Sequence, residues 1–500
     1  MTVSSFNVAA RLQSAIGADH VIAEPASLAQ YAVDEILPSA IAKPDSAHEV
    51  AEIVRFAFTE NLAIIPCGNR TKLAIGMPPS RYDIALDITG LNKIAHYDPA
   101  DLTISVDAGT PFNDFAVPLY KQKQFLPLSV PFYYLSTIGG IIASGVDSAL
   151  RHSYGTARDF LIGAEFVNGS GALTKSGGRV VKNVTGYDLH KLLIGSLGTL
   201  GVITRLNFRT FPMPIESRGF VASLASAEAA LELCHAIAHS PLTPTSIELL
   251  SPQLLQLFLD SPESDVSDPP SLPLTGVFPE NSWHLCVSIE GTPEVCDRYV
   301  RDLTHLSQQT AATNIHVFGS NDSQGADLWN YIGQSIPLLL ETSPQATIFK
   351  ISHLPGRLAT LIAELTTIAT QSSLPHVTLA RASGIIYFAL LPASNGAADV
   401  LPAADDVSPS AGGAALPAAD HASLGGDNAA NIPLLAQASA AIFQLCSRES
   451  ASASIPWCPT ALKHLVNVWG APRPDSALMH RLKSAFDPQN ILAPSRFLTL

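Results

Sequence analysis

Basic residues are scarce in this 500-residue sequence, which has 29 Lys and Arg, 43 Asp and Glu, and a formal net charge of −14. A general nucleic-acid-binding protein needs a basic footprint, so this balance argues against that class while allowing a local anion site. No apolar run approaches the roughly 18 residues of a membrane span. The segment from Met1 to Gly17 lacks the basic and apolar regions of a secretory signal. We therefore expect a cytoplasmic protein, attached to a membrane only indirectly through partners.

Paired cysteines are also missing. The six cysteines are scattered and form no C-x-x-C pair, which argues against an iron–sulfur cluster or zinc site held by this chain alone. We expect reduced thiols and no metal site. Two phosphate-binding motifs, the Rossmann G-x-G-x-x-G and the G-x-x-x-x-G-K-[ST] loop, are not found either. The cysteines are Cys67, Cys234, Cys286, Cys296, Cys446 and Cys458.

The sequence has enough apolar residues, 47% against 14% charged, to form large cores in two or three domains. A capping-box pattern at Ser46 and Glu49 predicts a helix from about Ala47 to Thr59. The apolar run 62–65 then indicates a buried strand. Further strands, each with one face buried, are predicted around residues 84–88 and 102–106.

Later segments predict a hairpin, a second domain and a final helix. Asn168 to Gly171 form a turn between two strands. Residues 227–238 and 295–307 look helical, and Asp487 with Pro488 ends a last helix. The stretch from Ala393 to about Asn431 is rich in Ala, Gly, Pro and Asp, with a near-repeat. Because it has few large apolar residues, we interpret it as a flexible insertion.

Three glycine-bearing segments are the candidate ligand contacts. The first follows the strand at 62–65, and its backbone N–H groups, with two cations, are suited to a pyrophosphate. An ordinary surface loop is the alternative. This segment consists of Pro66, Cys67, Gly68, Asn69, Arg70, Thr71 and Lys72.

The second segment is too apolar and glycine-rich for an exposed loop. Its paired glycines permit the backbone to approach a flat ligand, and Thr137 and Ser144 can donate hydrogen bonds. The alternative is a tight glycine turn that opens a buried helix. The candidate residues are Pro131, Ser136, Thr137, Ile138, Gly139, Gly140, Ala143, Ser144 and Gly145.

The third segment has glycines at positions 195, 198 and 201, which suggest backbone lying against a cofactor. With Gly155 and Asp159, the three segments occur in the order and spacing of the PCMH-type, or vanillyl-alcohol-oxidase-type, FAD-binding domain, which residues 38–212 resemble. The resemblance implies that Gly198, Gly201, Val202 and Ile203 lie near the adenine-nucleotide half of FAD, and that the first two segments hold the pyrophosphate and flavin. No histidine lies between Leu62 and Lys93, so it also implies non-covalent FAD.

The resemblance implies an α+β fold with a two-part FAD-binding domain at 1–213. An α+β cap domain at 214–452 follows, and a segment at 453–500 returns to the first domain. A narrower similarity involves Arg179 to Leu189, Val468 to Gly470 and Phe486 to Phe497. These segments resemble the FAD-binding subunits of bacterial glycolate oxidase, although Ser495 replaces the usual Gly. That family implies partnership with a second flavoprotein and an iron–sulfur subunit, and oxidation of glycolate, a 2-hydroxy acid, to glyoxylate.

Catalytic residues are not identified. Oxidation of a 2-hydroxy acid needs a base for the hydroxyl proton and a cation for the carboxylate. The stretch 379–387, where related enzymes have a histidine motif, has none; Arg381 can bind a carboxylate or form a structural ion pair. His353, His376 and His464 are alternative bases. Three other functions remain open: a stand-alone dehydrogenase of another hydroxy acid, sugar or lactone; a non-catalytic stabilising subunit; and, more distantly, a UDP-N-acetylmuramate reductase.

Overall fold

A computed structural model describes residues 5–180, 186–260, 278–320, 322–392 and 431–497. Positions 181–185 of the Arg179–Leu189 segment and positions 393–430 of the expected insertion lie outside these residues. None of the helices in the described ranges combines the length and hydropathy that a bilayer span requires. All six cysteines are free thiols.

The first sheet has the order β1-β2-β4-β3, in which β2, β4 and β3 are parallel and β1 is antiparallel to β2. Its strands are β1 (Val21–Ile22), β2 (Ala40–Ala42), β3 (Ile64–Cys67) and β4 (Ile84–Asp87). The accompanying helices are α1 (Ser5–Ile16), α2 (Pro25–Ala29) and α3 (Ala47–Glu60). The predicted helix at 47–59 is confirmed: Ser46 accepts from Glu49 N and Asn61 ends the helix in a left-handed conformation.

The second sheet is antiparallel, with the order β5-β6-β10-β8-β9. Its strands are β5 (Ile94–Asp98), β6 (Thr103–Asp107), β8 (Leu161–Val167), β9 (Leu173–Gly177) and β10 (Val202–Arg209). A small ribbon pairs β7 (Gln124–Phe125) with β11 (Phe211–Pro212). The helices here are α4 (Phe112–Lys121), α5 (Ile138–Ser144), α6 (Arg151–Tyr154) and α7 (Ala157–Phe160). The predicted hairpin is confirmed, because β8 and β9 pair across Asn168 to Gly171.

The expectation that the strands near 84–88 and 102–106 bury only one face is wrong. All residues of β4 and of β6 are buried. In β4, Ile84 and Leu86 belong to the main core of the first domain, whereas Ala85 joins a second cluster on the opposite face. Both faces of an interior strand of a parallel sheet are typically covered, so alternation predicts burial poorly there.

The cap is built on one antiparallel sheet of eight strands, with the order β15-β12-β14-β13-β17-β18-β16-β19. The strands are β12 (Glu216–Leu224), β13 (Ser246–Leu250), β14 (Trp283–Gly291), β15 (Asn314–Phe318), β16 (Thr347–Ser352), β17 (His376–Arg381), β18 (Ile385–Leu390) and β19 (Ser452–Trp457). Its helices are α8 (Ala227–Ala238), α9 (Pro252–Asp260), α10 (Pro293–Gln309), α11 (Ser323–Gly333), α12 (Ser335–Thr342), α13 (Leu358–Gln371) and α14 (Asn431–Arg448). Separate apolar cores lie against the sheet.

The C-terminal segment contains α15 (Thr460–Lys463) and α16 (Ser476–Phe486) and then returns to the first sheet. Ile64 N donates to Ile491 O, and Ala493 N donates to Ile64 O, each at 2.7 Å. Residues 491–493 thus extend the parallel sheet beside β3. The predicted α+β class and the return segment are confirmed.

Candidate functional site

The loop after β3 forms one wall of a cleft in the first domain. Gly68 lies so close to α5 that a Cβ there would come nearer than 3.0 Å to the Thr137 side chain. Asn69 Nδ2 donates to Leu135 O at 2.8 Å. Arg70 has a left-handed backbone, with φ of 63°, and its guanidinium lies 4.5 Å from the centre of the Tyr31 ring. Because of these contacts, the loop is held by side chains on both sides.

Lys72 is a partly buried cation in this wall. Its Nζ donates to Thr71 Oγ1 at 3.2 Å and to Ser136 Oγ. Among the described residues, no carboxylate forms an ion pair with it. Burial lowers the pKa of Lys72 to about 7. Its Nζ also lies 5.5 Å from the centre of the Phe132 ring. An ammonium group with these partners but no counter-ion is available to an anionic ligand.

The second wall is the start of α5. Thr137 caps this helix, accepting from Gly140 N at 3.3 Å, and Gly145 ends it with φ of 60°. The segment opens a helix, as the alternative to ligand contact expected, and it also faces the cleft described below. Gly139 packs so closely that a Cβ would lie 2.8 Å from Ala108. The backbone of the helix therefore approaches the β6–α4 connection.

The third wall is the glycine-rich stretch before β10. Leu197 N donates to Ala143 O at 2.8 Å, which ties this stretch to α5. Gly198 has φ of 74°, and a Cβ there would meet Pro66 at 3.1 Å. At Gly201 a Cβ would lie 2.7 Å from Phe166. Only glycine fits these contacts without displacement.

These three walls enclose a narrow cleft that is partly open to solvent. Most of the predicted contact residues line it. They are Pro66, Cys67, Gly68, Asn69, Arg70, Thr71, Lys72, Thr137, Gly139, Gly140, Ala143, Ser144, Gly198, Gly201 and Ile203.

Seven other predicted contact residues do not line this cleft. Ser136 lies behind Lys72 and donates to Pro131 O at 3.2 Å. Ile138 and Val202 are buried in the core. Gly145 lies at a second cavity, and Asp159 accepts from Thr156 N at 2.7 Å in the capping box of α7. The seven are Pro131, Ser136, Ile138, Gly145, Gly155, Asp159 and Val202.

Arg496 also lines the cleft, although it was not among the predicted contact residues. It is buried, donates to Leu73 O and Ile75 O, and pairs with Asp34 at 3.4 Å. Burial lowers its pKa to about 10, against the opposing effect of Asp34. Arg496 therefore anchors the C-terminal segment beneath the first loop. The signal that could have found it is its place in the C-terminal segment expected to return to the first domain.

Two families match this chain. One, described as an FAD binding domain, matches residues 38–177, and the other, FAD linked oxidases, C-terminal domain, matches residues 214–388 and 471–497. The chain is thus similar to FAD-linked oxidases in two successive parts. The first two walls of the cleft lie within the matched FAD binding domain, and its third wall, at 197–203, follows that domain in the sequence.

Curated relatives of this chain match over part of their length. A D-2-hydroxyglutarate dehydrogenase of Xanthomonas citri pv. viticola is 32% identical over 44% of this chain and 48% of its own. The glycolate oxidase subunit GlcE of Escherichia coli K12 is 33% identical over 38% of this chain and 54% of its own. The chain thus spans about half the length of the curated relatives it matches.

A solved structure extends the likeness in fold to nearly the whole chain. Substrate-bound p-cresol methylhydroxylase superposes with a TM-score of 0.74 over 99% of this chain and 97% of its own, at 17% identity. The predicted PCMH-type domain with its cap is therefore confirmed as the fold. At this identity the likeness carries no further conclusion.

The cleft fits FAD. Gly68, Gly139 and Gly198 leave no room for side chains, so their backbone forms the surface that a ligand meets. Lys72 provides a positive charge without a protein counter-ion, which suits a pyrophosphate. Hydroxyls of Thr71 and Ser144 line the same cleft.

The candidate catalytic side chains lie elsewhere. Arg381 Nε pairs with Glu248 at 3.1 Å, and its Nη1 lies 3.4 Å from Asp147, as expected of a structural ion pair. His376 is at the start of β17, where burial lowers its pKa, and His464 is exposed after α15. His353 Nδ1 lies 2.8 Å from Leu354 O. Among the described residues, no histidine lines the cleft.

Proposed function

We propose that this chain is the FAD-binding subunit of a glycolate oxidase or dehydrogenase complex. In this complex, glycolate is oxidised to glyoxylate and electrons pass through the flavin to an iron–sulfur subunit. The observation that carries the proposal is the unpaired Lys72 ammonium in a glycine-walled cleft of an FAD-binding domain. Two relatives, a glycolate oxidase subunit and a D-2-hydroxyglutarate dehydrogenase, support the substrate class.

The chain's own residues bind and orient the cofactor. The backbone of Gly68 to Arg70 and the ammonium of Lys72 hold the pyrophosphate, while α5 and residues 197–203 form the opposite walls. Arg496 keeps the first loop in place from below. Bound FAD would accept the hydride of the substrate carbon.

Non-covalent binding is the second part of the proposal. Cys67 is the one thiol in the cleft lining of the described residues, and burial raises its pKa well above the usual value, so it is a poor nucleophile. Since no histidine of the described residues lines the cleft, we assign the proton-accepting base to another part of the complex. The partners of this chain in the complex are a second flavoprotein and the iron–sulfur subunit. The chain itself lies in the cytoplasm and is peripheral to the membrane through these partners.

The test starts with the visible spectrum of the purified chain after incubation with FAD. We expect a flavin spectrum, and acid precipitation should release the chromophore into the supernatant. Glycolate is then added without oxygen, first to the chain alone and then with its partner subunits. Bleaching only with the partners supports the proposed subunit.

Other results would replace the proposal. Bleaching of the isolated chain by glycolate, or by another hydroxy acid or sugar, would indicate a stand-alone dehydrogenase. A chain that remains colourless after incubation with FAD would indicate a stabilising subunit. Chromophore retained in the acid precipitate would contradict non-covalent attachment.

A further inference from the structure

A second cavity, of about 250 Å³, lies where the first domain meets the cap. The end of α5 and the following residues form one side, with Ile141, Gly145, Asp147 and Arg151. Strand β16 of the cap contributes Lys350 from the opposite side. The cavity is smaller than the roughly 300 to 1,000 Å³ of pockets for drug-sized ligands, so it suits a small molecule.

Lys350 is a partly buried cation without a dedicated counter-ion. Its Nζ donates to Gly145 O at 3.4 Å, a long hydrogen bond. In the described part of the chain, no carboxylate lies within ion-pair distance of it. Burial lowers the pKa of Lys350, and nearby Asp147 opposes that effect.

The other buried charges around the cavity are paired. Asp147 lies 3.5 Å from Arg151 and 3.4 Å from Arg381, which also pairs with Glu248 at 3.1 Å. Lys191, which also lines the cavity, pairs with Asp188 at 2.7 Å. Arg158 has no ion pair among the described residues, but it is exposed, so the unpaired cation inside the cavity is Lys350.

We propose that this cavity binds the carboxylate of a small monocarboxylic acid, with Lys350 as its cationic partner. This rests on the proposed function and defines its substrate class more narrowly: a monoanion such as glycolate rather than a dianion such as 2-hydroxyglutarate. One ligand charge matches the one unpaired cation inside the cavity. A second carboxylate has no such partner, because Lys191 is paired with Asp188 and Arg158 is exposed, where solvent weakens ion pairs.

Calorimetric titration of the FAD-loaded chain tests this directly. It is done at about pH 8, above the pKa of about 7 to which burial raises Glu248, so that Glu248 is ionised and pairs with Arg381. We expect glycolate to bind at least about tenfold more tightly than D-2-hydroxyglutarate. Equal or tighter binding of the dianion would overturn the monoanion assignment.

Variants then test the residue. Lys350→Met should weaken glycolate binding by at least about tenfold, whereas Lys350→Arg should recover part of it. Lys121→Met, at an exposed lysine that ends α4, is the matched control and should bind as the unaltered chain does. Unchanged glycolate binding in Lys350→Met would refute the site.

The flavin spectrum separates this proposal from the function it rests on. Lys350→Met should keep its bound FAD and lose glycolate binding. Lys72→Met should bind FAD more weakly, and in titrations of the cofactor-free chain it should still bind glycolate. A chain that binds no FAD but binds glycolate through Lys350 refutes the function and keeps the cavity. A chain that binds FAD but no monocarboxylate, with or without partners, refutes the cavity and leaves the cofactor assignment standing.

Discussion

The cleft of the first domain and the cavity at the cap hold their charges in different ways. In the cleft, Lys72 has two hydroxyls and the Phe132 ring as partners but no carboxylate among the described residues, and the walls are mainly backbone and small residues. Around the cavity, Arg151 and Arg381 alternate with Asp147 and Glu248. The cleft therefore needs a ligand that brings negative charge, whereas the cavity neutralises most of its own.

Because of this difference, charges in the cleft should affect ligand binding, and charges around the cavity should affect the folding stability of the chain. Removing the Lys72 charge from the cleft removes a ligand contact and leaves no protein carboxylate of the described residues unpaired. Removing one from the cavity network leaves a buried carboxylate without its cation, which costs more than the pair itself contributes. Substitutions in the two regions should accordingly affect different measurements.

The largest effect is expected at Arg381. Arg381→Met leaves Glu248 without its partner in the interior, and we expect unfolding free energy to fall by about 3–5 kcal/mol. Urea unfolding of the cofactor-free chain measures this. Arg298→Met is the control: it breaks an exposed i, i+4 pair with Asp302 and should cost about 0.5 kcal/mol or less. A loss below about 1 kcal/mol at Arg381 would contradict a network held by charge.

A smaller effect is expected at the glycines of the cleft. In Gly68→Ala the new methyl group would overlap Thr137, so we expect a loss of about 1–3 kcal/mol and weaker FAD binding. Gly140→Ala is the matched variant, because its methyl group would meet Thr137 Oγ1 at 3.1 Å in a helix that favours alanine. It should leave stability nearly unchanged. Similar melting temperatures for the two variants would show that Gly68 is not sterically required.

The contrast between the cleft and the cavity also explains which parts of the site could be predicted from the sequence. The cleft is built from runs of adjacent residues, 66–72, 137–144 and 197–203, so each wall is visible as a glycine-bearing segment. The capping of α3 and the β8–β9 hairpin were predicted because a few neighbouring residues determine them. The full burial of β4 was not predicted, because it depends on a second apolar cluster whose residues are distant in the sequence.

The cavity network could not be predicted in this way. Asp147, Glu248, Lys350 and Arg381 come from distant positions, and each taken alone looks like an ordinary charged residue. The cap sheet brings the last three together because β13 pairs with β17, and β18 lies between β17 and β16. Strand order was the missing information. For the same reason Arg381 remained a candidate for both a carboxylate contact and an ion pair.

The smallest effect, and the most specific to the cleft, is the pH dependence of FAD binding. In the cofactor-free chain burial lowers the pKa of Lys72 to about 7, so above that pH the amine must take up a proton when a phosphate binds. We expect FAD affinity, measured by fluorescence titration, to weaken by up to about tenfold per pH unit above pH 7. Lys72→Met should bind roughly 10- to 100-fold more weakly at about pH 6.5 and without this slope. Lys121→Met should retain it. A slope that survives in Lys72→Met would assign the titration to another group and leave the unpaired ammonium without a role in binding.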